Sequence, residues 1–159
     1  MKDREFLQQL YNEGKFELVE PSENIKESYL KKSESYLSSA KLLYANGKLE
    51  ESVSMSYYSM YYLVLALLYK TGIKSETHAG SITIIKDVMG VDISKINKAK
   101  KERIDKQYYV DFSITSFDAQ DLIKSAEEFS DVMTSKIARL SREDVKVIRK
   151  KLEEIVKDA

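Results

Sequence analysis

The chain of 159 residues has no cysteine, one proline, five glycines and one histidine. Without cysteine there is no disulfide, no thiolate nucleophile and no cysteine-ligated zinc. The same absence suits a cytoplasmic protein. A single histidine does not make a zinc site, and no ligand cluster accompanies it, so neither a metal nor another cofactor is expected. With so little proline and glycine, few positions break a helix. The 26 basic and 26 acidic residues cancel, so no global field draws nucleic acid or an anionic membrane, and only local patches remain. The charged start, Met1-Lys2-Asp3-Arg4-Glu5, leads to no apolar signal segment. No apolar run reaches the roughly 20 residues that cross a bilayer, so no membrane partner is expected. This length supports one good core rather than two. We therefore expect a single helical domain over 1–159, with its core over about 22–140 and an additional C-terminal helix over 141–158.

What the chain does have is a densely apolar and aromatic stretch from Tyr57 to Tyr69, with Tyr57, Tyr58, Tyr61, Tyr62 and Tyr69 at helical spacing. A helix that is hydrophobic on all sides in a soluble protein is a core helix with others around it. The glycines punctuate the rest. Gly14, Gly47, Gly72 and Gly90 each follow a helical pattern, where the chain often turns through a left-handed residue. The pattern predicts a first helix over Asp3 to Asn12. A second, opened by Pro21-Ser22, runs to about Ala45, and a central one runs from about Leu49 to Lys70. The short Asn46-Gly47 link makes the last two an antiparallel hairpin. A polar loop from Gly72 to Gly80 precedes a short helix over Ala79 to Val88. Helices follow over Ile93 to Asp111 and Asp118 to Leu140. Ser141-Arg142-Glu143-Asp144 has the form of a capping box and opens a last amphipathic helix bearing Val145, Ile148, Leu152, Ile155 and Val156. The fold class is all-α: an up-and-down bundle of four main helices plus a short helix, with extra N- and C-terminal helices. The apolar stripe of the last helix either packs on the bundle or zips against a second copy.

Three stretches together resemble a HEPN domain, the helical domain named for higher eukaryotes and prokaryotes nucleotide-binding. They are similar above all to small, mostly uncharacterised prokaryotic HEPN proteins. The first is Ala40 to Ser52, with a helix end, a glycine and a new helix. The second is Ser56-Tyr57-Tyr58-Ser59-Met60-Tyr61-Tyr62, followed by Gly72 and Thr77-His78-Ala79-Gly80. The third is Arg103-Ile104-Asp105-Lys106-Gln107-Tyr108-Tyr109. In order and spacing the likeness covers roughly residues 22 to 138. It implies a four-helix bundle that is often dimeric. Members are metal-independent ribonucleases, some of them toxins in toxin–antitoxin pairs, or partners of small nucleotidyltransferases, or modules that bind RNA or nucleotides without catalysis.

The ribonuclease version carries an arginine and a histidine four to six residues apart. Here Arg103 stands at the arginine position and Tyr108 five residues on, while the one histidine, His78, lies in an earlier loop. An imidazole titrates near pH 6.5 and exchanges protons at neutrality; a phenol near 10 does so poorly. Arg103 therefore has two readings. It either meets phosphate with its planar fork of donors, or it is structural, paired with a helix-end carbonyl, Glu51 or Asp111. His78 is either a polar loop residue that caps the next helix or a proton carrier. The tyrosines are core and interface residues or stacking platforms for bases. Lys95, Lys98, Lys100, Lys101, Arg103 and Lys106 form a basic segment diluted by Glu102 and Asp105, either a solvated face or an anion site.

The reading is a cytoplasmic HEPN-like binding module, a homodimer, engaging RNA, a nucleotide or a nucleotidyltransferase. Arg103, Lys100, Lys106, Tyr57 and Tyr61 are its ligand-binding candidates. The alternatives are a toxin-like ribonuclease using Arg103, Tyr108 and His78, and an interaction protein with a structural arginine.

Overall fold

The computed structural model describes the backbone of residues 2–108 and 113–158, and the side chains of 2–104 and 113–158. Seven helices and two short strands occur among these residues. In chain order they are α1 (Lys2–Asn12), β1 (Phe16–Leu18), α2 (Glu23–Ala45), α3 (Leu49–Thr71), β2 (Ile73–Ser75), α4 (His78–Met89), α5 (Ser94–Tyr108), α6 (Ser116–Arg139) and α7 (Arg142–Val156). The fold is all-α, a packed helical bundle with extra terminal helices, as the patterning implies. The expected end of α5 at Asp111 lies outside the described residues. No described helix is long and apolar enough to cross a membrane.

The helix ends follow local chemistry. Ser22 Oγ accepts from the Ile25 amide at 3.2 Å, which satisfies one of the free N–H groups that open α2. Gly90, at φ +66°, ends α4 and donates its N–H to the Lys86 carbonyl at 3.1 Å. The box at Ser141 forms in both directions: Asp144 N–H to Ser141 Oγ at 3.1 Å, and Ser141 N–H to Asp144 Oδ2 at 2.9 Å. Aspartate is long enough to serve where glutamate is usual.

The chain divides into two compact units, and three of the four boundaries between them fall inside α2, α3 and α6, the fourth in the link before α5. The first unit comprises residues 1–28, 64–92 and 135–159. In it α1, α4 and α7 pack on one another. Ile148, Leu152 and Val156 of α7 are buried there, with Leu7 and Leu10 of α1 and Ile82, Ile85 and Val88 of α4. The stripe of the last helix is thus covered within its own chain, which removes the need for a second copy to cover it. The segment read as a plain polar loop contains β2, which pairs antiparallel with β1 in the register Phe16 to Ser75 and Leu18 to Ile73. Three-residue strands carry too little periodicity to be read from sequence. Phe16 and Ile73, both buried, anchor them.

The second unit comprises residues 29–63 and 93–134. Serines hold α2 close to α3: Ser33 Oγ donates to the Ser59 carbonyl at 2.6 Å, and Ser52 Oγ to the Ala40 carbonyl at 2.8 Å. The central helix is buried along its length, with Val53, Tyr57, Met60, Tyr61 and Leu63 in this unit and Val64, Ala66, Leu67 and Leu68 in the first. Burial of each large side chain there is worth about 1.5–3 kcal/mol, which is why this helix fixes the bundle.

Candidate functional site

On α5 the basic run separates into two faces. Lys95 reaches Glu128 Oε2 at 3.6 Å and Lys98 reaches Asp121 Oδ2 at 2.8 Å. These two lysines are neutralised by carboxylates of α6. Lys100 and Arg103, three residues apart and so on a shared face, have no salt bridge among the described residues. Arg103 faces the tyrosines of α3.

The Arg103 guanidinium carbon lies 5.2 Å from the centroid of the Tyr57 ring and 5.2 Å from that of Tyr58. The two rings meet edge to face, with centroids 5.3 Å apart and planes at 70°. The half-buried cation is therefore held against two π systems, a contact worth about 0.5–2 kcal/mol depending on desolvation. The pairing with Glu51 expected of a structural arginine is absent, and Asp111 lies outside the described residues. Arg103 Nε is buried without a hydrogen-bond partner among the described residues. Burial, and next the neighbouring Arg103 charge, hold the Lys100 ammonium below the ordinary lysine range. Both facts describe one condition: positive charge set into the protein with too little negative charge around it among the described residues. Glu102 does not relieve it. Its Oε2 is itself buried without a hydrogen-bond partner among the described residues, and its charge is felt at Lys98.

Behind the arginine, Tyr57 is fully buried and stacks on Tyr61, centroids 6.2 Å apart and planes at 15°. Burial pushes the Tyr57 phenol well above its usual range, outweighing the opposing pull of Arg103. Tyr57 and Tyr61 are thus core residues that form the floor of the arginine's seat. Tyr58 is half-buried and continues into a cluster. Tyr36 meets Tyr58 and Tyr62 edge on, at 6.5 and 4.9 Å, and Tyr29 stacks on Tyr62 at 5.8 Å. Lys32 Nζ sits 4.7 Å from the Tyr62 centroid.

The structure thus brings Arg103, Lys100, Tyr57 and Tyr61 together. The HEPN domain family matches residues 26–138, more than half of the chain. The chain belongs to the HEPN domain family. A UPF0332 protein of Pyrococcus horikoshii is 48% identical over 56 residues, covering 35% of this chain and 39% of that protein. The match takes in less than half of that protein's length.

The remaining HEPN site candidates fall elsewhere. His78 is the first residue of α4 and belongs to the first unit, whereas Arg103 belongs to the second. The cap expected of His78 is provided by Thr77, whose Oγ1 accepts from the Gly80 amide at 3.0 Å. A hydroxyl one residue earlier has the shorter reach to that amide. Tyr108 closes α5 and Lys106 lies three residues after Arg103 on that helix, but both side chains lie outside the described residues.

Sequence reasoning passed over Arg149, which is half-buried on α7. Its Nη1 donates to the carbonyls of Val19, Thr71 and Gly72 at 2.8, 3.0 and 2.8 Å. The signal was its place on the apolar stripe, one residue after Ile148 and three before Leu152. A cation on a buried stripe has a partner to find.

Proposed function

We propose that this HEPN chain is a binding module that holds the phosphate of an RNA or nucleotide with Arg103, assisted by Lys100. The single supporting observation is the seating of Arg103 on Tyr57 and Tyr58 without a carboxylate partner among the described residues. The two rings hold the guanidinium by its charge and use none of its N–H donors, which leaves its terminal donors to grip a phosphate in bidentate fashion. A phosphate would also relieve the unbalanced charge that Lys100 registers. Lys106, further along α5, would extend the contact to a second phosphate.

Binding without cleavage is the better reading. The Tyr57 phenol beside the arginine is kept protonated by burial and supplies no base at neutral pH. A toxin-like ribonuclease would depend on Tyr108 or His78 for proton transfer. Family membership supports two protein partners, a second copy of the chain and a small nucleotidyltransferase, in a cytoplasmic setting where the chain acts as one domain.

The test is fluorescence anisotropy of a labelled single-stranded RNA against salt concentration. Phosphate contacts release counterions, so each lost contact lowers the slope of log affinity against log salt by about 0.7 for a single strand. Arg103→Ala should weaken binding and flatten that slope. An affinity and slope equal to the parent's would refute the role of Arg103.

A further inference from the structure

In the first unit, α7 and the junction before α2 line an open cavity of about 460 Å³ that takes no part in the phosphate site. Its volume is in the range of small-ligand pockets. Pro21, Leu140 and Val145 give it an apolar wall. The charges around that wall are unequal in kind. Lys70 is spent on Glu23, at 2.6 Å, and Glu23 is held ionised, its pKa lowered to about 2 by Lys26 and Lys70. Arg149 is occupied by the three carbonyls it binds. Lys146 has only an exposed contact with Glu143 at 3.3 Å, and Arg142 has no ion pair among the described residues. An apolar hollow is thus rimmed by two cations whose charge the protein hardly answers.

We propose that this cavity binds an amphipathic anion, a carboxylate or phosphate monoester carrying a short apolar body. The body lies along Pro21, Leu140 and Val145. The anionic head meets Arg142 and Lys146 at the rim. The ionised Glu23 opposite turns away a ligand whose charge lies at the other end. A cation of the same shape is excluded by the same rim.

The experiment is a titration of the full chain with sodium octanoate, followed by amide NMR shifts. Saturable shifts are expected at residues 140–149 and around Pro21. Octylammonium, with the same tail and opposite charge, should produce none of them, and inorganic phosphate should bind more weakly. The double variant Arg142→Glu and Lys146→Glu should weaken octanoate by roughly tenfold or more. Both positions are exposed, and an acid at position 142 suits the first turn of the helix, so the variant remains folded. Shifts that do not saturate, an equal response to octylammonium, phosphate binding as tight as octanoate's, or undiminished affinity in the double variant would each overturn the proposal.

Discussion

Arg149 Nη1 donates to the Gly72 carbonyl at 2.8 Å, and this closeness is possible only because residue 72 has no side chain. Gly72 has φ +74°, and a Cβ there would collide with both Arg149 Nη1 and the Val19 carbonyl oxygen. The residue ends α3, opens β2 and makes room for the arginine that ties α7 to them.

Gly72→Ala is therefore expected to destabilise the protein by about 2–4 kcal/mol, through left-handed strain and loss of the arginine's hydrogen bonds. Arg149→Leu should cost about 3 kcal/mol, because three carbonyls lose a charged donor. Chemical denaturation measures both. A double variant costing little more than either single one would show that the two act through the same contact; full additivity would contradict that.

Glu23 gives a pH dependence. Hydrogen bonds from Lys26, at 2.8 Å, and from Lys70, at 2.6 Å, lower its pKa from 4.5 to about 2. The folded pKa lies below the unfolded one, so this contribution is fully present above pH 4.5 and fades as pH falls toward 2. Glu23→Gln should reduce the dependence of thermal stability on pH within that window and leave the dependence above pH 5 unchanged. Melting curves taken between pH 2 and 6 check this. The carboxylate is largely exposed, so the effect shrinks with added salt.

Arg103→Met separates a ligand-binding arginine from a structural one. It keeps the stem that packs on the tyrosines and removes the charge. Loss of the cation–π contacts should cost about 1 kcal/mol, with a cooperative unfolding transition retained. An unfolded variant would assign Arg103 to the fold rather than to a ligand.

The long elements were legible because each repeats its signal over several turns. The apolar density of α3 predicts its burial, Gly90 the left-handed stop of α4, and Ser141 with Asp144 the capping box of α7. Strands β1 and β2 were not legible, because Phe16–Leu18 and Ile73–Ser75 span three residues each and are defined by their pairing. At the site, Arg103 and the tyrosines were legible as candidates, but the contact of Arg103 with Tyr57 and Tyr58 was not. The sorting of the basic run did not follow from sequence. Which lysines are neutralised depends on Asp121 and Glu128 of α6, more than twenty residues away. Arg149 was hidden for the same reason: its three acceptors come from a different stretch of chain.

The central claim is that Arg103 binds phosphate without cleaving RNA. The most direct measurement follows labelled single-stranded RNA with the purified chain in excess EDTA, scoring complex formation and strand length in the same samples, with Arg103→Met alongside. The account predicts a salt-sensitive complex, intact RNA, and loss of the complex in the variant. Shortened RNA that disappears with the folded variant would contradict it, and would make the protein a metal-independent ribonuclease.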